Sequence, residues 1–201
     1  MESHRKIFCG IIVYGIFLLL LFLFLDKAVV FDKQLFFLIQ GLYTPYGETV
    51  FNAITYMGSS AFWVFMIIFF WLKGKRKVSV QLVCAFIIDT VSLLALKYFF
   101  LRPRPFEMFQ LENMMDVNLG PSFPSGHTQR AFSGAFILSH HYKKYSLLFY
   151  ALAFMVSISR IYLGLHFPLD TLIGAINGII IGAVSLAIPL KGLGKRLKSR
   201  K

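Results

Sequence analysis

Six apolar runs set the limits on what this chain can fold into. Ile7 to Leu25 and Ile54 to Leu72 contain no charged residue, and Val78 to Leu96 is broken only by Asp89 and a few uncharged polar groups. Thr128 to Tyr142 is shorter and more polar. Ser146 to Leu163 carries Arg160 near its end, and Leu169 to Leu190 closes the set. A hydrocarbon core about 30 Å thick needs roughly 20 helical residues to cross it, because the backbone must satisfy its own hydrogen bonds there. The predicted fold class is therefore all-α: a polytopic membrane protein of six transmembrane helices in one bundle. Composition agrees, with 57% hydrophobic and 15% charged residues, against about 25% charged in soluble domains. Such apolar content also excludes intrinsic disorder.

No internal repeat, low-complexity tract or linker divides the chain, so residues 1–201 are read as a single domain. Arg5 and Lys6 precede the first run as they would in a signal peptide. The run exceeds the usual h-region of about 7–15 residues and no A-x-A-like site follows, so it is expected to be a retained helix. Cys9 and Cys84 fall within apolar runs and read as small buried hydrophobes, which excludes a disulfide scaffold.

The formal net charge of +12 raises nucleic acid as a partner until the charges are located. With the N-terminus inside, the inner segments hold Arg5, Lys6, Lys73, Lys75, Arg76, Lys77, Lys143, Lys144, Lys191, Lys195, Arg196, Lys198, Arg200 and Lys201, with Glu2 as their only acid. The other seven cations share the outside and the membrane with eight acids. This asymmetry predicts both termini in the cytoplasm and reads the basic excess as an orientation signal rather than a nucleic-acid surface. It also suits attraction to anionic headgroups on the cytoplasmic side. Tyr43, Tyr46, Tyr56, Tyr98 and Tyr162 then cluster near the outer ends, and Trp71, Tyr142 and Tyr145 near the inner ends. Between the first two runs, Phe31, Leu35 and Leu38 have the spacing of a short helix on the outer surface, with a loop as the alternative.

Ionisable groups in or beside membrane spans invite a functional reading. Lys97, Arg102, Arg104 and Pro124-Ser125-Gly126-His127 flank one outer loop; Ser159-Arg160, His166 and Asp170 flank the next. A pocket formed from both would suit a phosphate group. Arg can fork onto phosphate oxygens and Lys adds a point charge. Ser125 and Gly126 lead into a helix whose N-terminal N–H groups attract anions. Two histidines allow nucleophilic attack and proton transfer. Asp170, four residues after His166, can reach its ring in a helical or turn geometry.

Lys97 with Arg104-Pro105, then Pro124-Ser125-Gly126-His127, then Ser159-Arg160 with His166 and Asp170, resembles the three-part signature of the type 2 phosphatidic acid phosphatase family. All three parts match in order across residues 97–170, and the six-run layout extends the resemblance over nearly the whole chain. The resemblance implies a metal-independent lipid-phosphate phosphatase with no cofactor. By it, His166 is the nucleophile that forms a phosphohistidine, Asp170 holds its other ring nitrogen, and His127 protonates the leaving oxygen and then activates water. Lys97, Arg104, Arg160, Ser125 and Gly126 would bind the phosphoryl oxygens; Arg102 lies outside the motif and receives no role. The substrate would be a membrane lipid phosphate or pyrophosphate, with phosphatidylglycerophosphate, undecaprenyl pyrophosphate and phosphatidic acid all in range. The site would face the extracytoplasmic side of the cell membrane, and no obligate protein partner is indicated.

Other features have plainer readings. His140 and His141 lie about 20 Å along a helix from His127 and belong with Lys143 and Lys144 at the opposite interface. Asp89 should face the bundle, with Arg130 as its expected partner. Glu107, Glu112 and Asp116 with Met108, Met114 and Met115 read either as a cover over the site or as an exposed loop. A transporter would also carry intramembrane charges, but would spread them along a pathway between repeated halves. Vanadate-dependent haloperoxidases share the signature but are soluble. A catalytically inactive lipid-binding protein would have little use for both histidines and Asp170.

Overall fold

The computed structural model describes residues 29–111 and 120–190, together with residue 15. The expected first span Ile7 to Leu25, Cys9, Glu112, Asp116, Met114, Met115 and the basic residues at both ends of the chain lie outside the described residues. The described residues are all-helical. Helix α1 covers residues 29–40. It is followed by α2 (Pro45–Tyr56), α3 (Ser60–Leu72), α4 (Arg76–Phe100), α5 (Pro105–Phe109), α6 (Gly126–His141), α7 (Ser146–Tyr162) and α8 (Pro168–Ala187). A short 3-10 turn, Lys143–Tyr145, leads into α7.

The polarity of the bundle is inverted relative to a water-soluble protein. Phe65 on α3, Ile87 and Val91 on α4, and Leu147 and Phe154 on α7 are exposed, while Asp89, Gln129, Ser133, Asn177 and Ser185 are buried. Lipid is as good a solvent for leucine as a protein core, so polar contacts and close packing hold such helices together. Arg76–Phe109, Lys143–Tyr162 and Pro168–Ala187 are long and apolar enough to cross a membrane, and the pair α2 and α3, bent by 45°, makes a fourth crossing if counted as one. The chain is a multi-pass membrane protein.

One expectation changes here. The run from Ile54 to Leu72 is not one helix. Ser59 ends the continuity by accepting the Phe62 N–H at 3.1 Å, capping α3 afresh. Gly58, at the break, packs so closely that an added Cβ would lie 2.7 Å from the carbonyl oxygen of His127. Helix α6, with 16 residues, is only about 24 Å long. It is polar on the face that carries Gln129, Arg130 and Ser133, which is buried against its neighbours.

Helix α8 presents Gly174, Gly178 and Gly182 to α6, one residue per turn. A Cβ at Gly174 would lie 2.7 Å from the Ser125 carbonyl oxygen; one at Gly178 would overlap the Gln129 carbonyl; one at Gly182 would lie 2.9 Å from Phe136 Cβ. This small-residue stripe lets the two backbones touch. Asn177 completes the seam by donating to Gln129 Oε1 at 2.7 Å and to Ser92 Oγ at 2.8 Å. Opposite, Trp63 Nε1 donates to the Leu82 carbonyl at 3.1 Å and Ser79 Oγ to that of Ile67 at 2.8 Å, tying α3 to α4. The expected Asp89–Arg130 pair forms, at 3.3 Å, and Arg130 Nε also donates to the Gly58 carbonyl at 3.0 Å.

Helix α1 forms as the spacing suggests but turns a different face inward. Phe31 and Leu38 are exposed, whereas Asp32 and Phe36 are buried. Phe36 packs against Phe109 and Phe167, with ring centroids 5.8 and 5.5 Å away.

Candidate active site

The ends of α4, α6, α7 and α8 gather all eight sequence-predicted residues at one end of the bundle. Leu101 closes α4 in the left-handed conformation, φ 44°, and Arg102 and Arg104 follow in the turn. Gly164, φ 72°, redirects the chain after α7, a conformation that glycine adopts without strain. The backbone N–H of His166 then donates to the Arg160 carbonyl at 3.2 Å. Asp170 sits in the first turn of α8, where its Oδ2 accepts the Phe167 N–H at 2.9 Å. Pro168 stands at the first helical position, which needs no N–H. The Ser125 N–H donates to the Asp170 carbonyl at 3.0 Å, so the α6–α8 seam sets the distance between the two halves of the signature.

His166 is 2% exposed. Its Nδ1 lies 3.5 Å from Asp170 Oδ2 and 3.3 Å from Ser122 Oγ. Ser122 Oγ in turn donates to Asp170 Oδ2 at 2.5 Å. Its Nε2 lies 3.3 Å from Arg104 Nη1, and a guanidinium nitrogen is only a donor. The surroundings therefore place the proton on Nδ1 and leave a lone pair on Nε2. Burial, first, and then the positive charges of Arg160, Arg104 and Lys97 hold the His166 pKa well below its ordinary 6.5. The imidazole is neutral at physiological pH.

The cations are anchored around it. Arg104 donates to the carbonyls of Gly120 and Leu165 at 2.8 and 2.9 Å, and its own N–H is held by Glu107 Oε2 at 2.9 Å. Lys97 Nζ donates to the Pro121 carbonyl. Arg160 Nη1 donates to Thr55 Oγ1 at 3.0 Å, while its buried Nε has no hydrogen-bond partner among the described residues. Ser125 caps α6, its Oγ receiving the Thr128 hydroxyl at 3.1 Å, with Gly126 beside it at the helix start. An added Cβ at Gly126 would press on Leu93 Cδ2 at 2.7 Å. His127, half-buried, follows on the same turn, within electrostatic range of Arg160 and His166. Among the described residues no group of three or more His, Cys, Asp or Glu side chains converges.

Three polar residues here received no role in the sequence reading. Ser122 touches both His166 and Asp170. Arg102 Nη1 donates to Asp170 Oδ1 at 2.6 Å, and its Nη2 to Asp32 Oδ2 at 2.5 Å. Arg102 falls outside the motif. Ser122 sits two residues before the Pro-Ser-Gly-His run but carries no spacing signal of its own. Asp32 stands beside Lys33 and Gln34 in a mixed stretch and carries no signal of its own. His140 and His141 lie at the far end of α6, where His141 Nε2 meets Gln81 Oε1 at 2.6 Å.

Sequence and fold comparisons identify the family. The pattern of the PAP2 superfamily matches residues 78–192. An undecaprenyl-diphosphatase of Sulfolobus acidocaldarius is 30% identical over 90% of this chain and 96% of its own length. The bacitracin transport permease protein BcrC of Bacillus licheniformis is 40% identical, over 35% of this chain and 34% of its own length. Among solved structures, LpxE of Aquifex aeolicus superposes with a TM-score of 0.66 at 37% identity, covering 77% of this chain and 94% of that one. A transmembrane PAP2-type phosphatidylglycerolphosphate phosphatase of Bacillus subtilis superposes with a TM-score of 0.71 at 25% identity, over the whole of both chains. With the three-part signature gathered at one end of its bundle, this chain belongs to the PAP2 superfamily.

Proposed function

We propose that this membrane protein is a lipid-phosphate phosphatase that acts through a phosphohistidine on His166. The observation that carries the reading is a neutral, buried imidazole whose Nε2 lone pair faces Arg104, beside three fixed cations, one of which keeps a buried donor without a partner among the described residues. A phosphoryl group placed there satisfies Arg160 Nε and receives charge stabilisation from Lys97, Arg104 and Arg160, the Ser125 hydroxyl and the backbone at Gly126. His166 Nε2 bonds to phosphorus as the bond to the leaving oxygen breaks, and His127 gives that oxygen a proton. His127 then takes a proton from water, whose oxygen displaces His166 from phosphorus and releases inorganic phosphate. Asp170 holds the Nδ1 proton through both steps, as the carboxylate does in a Ser-His-Asp triad.

Undecaprenyl diphosphate is the first substrate to test, supported by the full-length likeness to the Sulfolobus acidocaldarius enzyme. Phosphatidylglycerophosphate is the second, supported by the end-to-end fold match. In this reading the bundle has six spans and both termini in the cytoplasm, and the site opens outward. Lys73, Arg76, Lys143 and Lys144 at the opposite end of the described helices support that orientation. Charge stabilisation rests on fixed side chains, so EDTA should leave turnover intact; a strict divalent-cation requirement would contradict this. The deciding assay is phosphate release by purified protein from a panel of lipid phosphates and diphosphates. Wild type should release phosphate and His166→Ala should lose activity by a factor on the order of 10³ or more. Equal turnover by both would overturn the assignment.

A further inference from the structure

Asp170 is held by more than the catalytic histidine requires. Its Oδ2 takes the Ser122 hydroxyl and the Phe167 N–H while facing His166 Nδ1. Its Oδ1 is taken by Arg102, whose other arm binds Asp32. The Arg102 guanidinium also lies over the Phe167 ring, 4.2 Å from its centroid. Asp32 uses its second oxygen to accept the Leu169 N–H at 2.7 Å. Both carboxylates are almost wholly buried, at 3% for Asp32 and 0% for Asp170. The result is a chain of charges, Asp32–Arg102–Asp170, that ends on the imidazole. Its first member comes from α1, well before the stretch that matches the superfamily.

A single cation on Asp170 poses an electrostatic difficulty. Phosphorylated at Nε2 and protonated at Nδ1, the His166 ring carries a positive charge, and a nearby anion stabilises it. Arg102 alone would cancel the charge of Asp170 and weaken that support. Asp32 leaves the chain of three with a net charge of −1.

We propose that Asp32 and Arg102 are positioning residues for the reaction at His166: Arg102 fixes the Asp170 carboxylate toward the ring, and Asp32 restores the negative charge that Arg102 would otherwise cancel. This rests on the reading of His166 as nucleophile. Lys97 on α4, Arg104 before α5, His127 on α6 and Arg160 on α7 all bear on the same imidazole as positive or titratable groups. Glu107 on α5 faces Arg104, and Asp170 and Asp32 are the acids joined to the imidazole through Arg102, so Asp32 has leverage on its protonation.

The test changes the charge of the chain in both directions. Asp32→Asn takes it to zero, Arg102→Gln to −2, and the double variant Asp32→Asn/Arg102→Gln returns it to −1. Two readouts are needed: kcat and KM against pH with a lipid diphosphate, and the titration of His166 in the resting protein by NMR of labelled histidine. Asp32→Asn should lower kcat about tenfold with KM within about twofold, and move the acid limb and the His166 titration down by about one pH unit. Arg102→Gln should move both upward. The double variant should return them toward the wild-type position while kcat stays low, because the carboxylate has lost its clamp. Unchanged titrations in Asp32→Asn, or a change confined to KM, would overturn the proposal. A wild type with no turnover would overturn the phosphatase reading, and the NMR titrations would still decide the charge chain.

Discussion

At the scale of single residues, the site is organised around keeping one imidazole neutral and aimed. His166 lies in a field of cations, and its depressed pKa keeps this proposed nucleophile neutral at pH 6.5 and somewhat below it. Once the ionisation of the substrate phosphate is corrected for, the acid limb of kcat/KM, which reports the free enzyme, should fall below 6.5. A limb at or above that value would contradict the field described. Stability carries the same sign. Below 6.5 the unfolded chain takes up a proton at this histidine that the folded chain refuses, so His166 contributes a loss of stability that begins near 6.5 and grows as pH falls toward its folded value. Ser122 offers a second residue-level check. Ser122→Ala removes the hydroxyl shared by Asp170 and His166, and kcat should drop about tenfold, or about 1.4 kcal/mol of barrier. An unchanged kcat would leave that hydroxyl without a part in aligning the ring. The eight motif residues were legible in the sequence because their spacing is rigid. Arg102, Ser122 and Asp32 were not, since tertiary packing alone creates the contacts they make.

At the scale of elements, two helices decide whether the site exists. Helix α8 carries Asp170, α6 carries Ser125, Gly126 and His127, and the glycine stripe fixes their separation. Gly178→Ala would drive a methyl group into the Gln129 carbonyl. It should lower stability by about 1–3 kcal/mol, read as a lower Tm in detergent, and reduce kcat as the seam opens. A variant with unchanged Tm would show that the backbones do not meet as described. Gly164→Ala tests the turn before His166. A left-handed conformation with a Cβ costs about 1–2 kcal/mol, and that Cβ would also lie 2.8 Å from Leu111 Cδ1. Most helices were legible from hydropathy, and α4, α7 and α8 fall close to the runs that announce them. The break between α2 and α3 was missed, although Gly58-Ser59-Ser60 inside the run is a turn and N-cap signal. The packing of Gly58 on α6 and the cap at Ser59 confirm it. Helix α1 was legible as a helix, but the face it buries was not. That face is chosen by Arg102 and Phe167, which are distant in sequence.

At the scale of the whole molecule, a bundle that faces lipid with its apolar residues must hold its polar ones inside in satisfied pairs. Arg130 joins α6 to Asp89 on α4 and to the break at Gly58. Arg130→Ala leaves Asp89 buried and unpaired, and should destabilise by about 3–5 kcal/mol. Asp89→Asn in the same background should recover much of that loss in thermal unfolding; no recovery would mean that the pair is not what Arg130 provides. In the proposed function this framework makes one end of the bundle a phosphate site and leaves the substrate's tail to the bilayer. The most direct test of that central claim is to quench purified protein in alkali during turnover of undecaprenyl diphosphate and map any phosphorylated residue by mass spectrometry. The account predicts phosphohistidine at His166, absent in His166→Ala. Turnover with phosphate on another residue, or turnover that persists in His166→Ala, would contradict it.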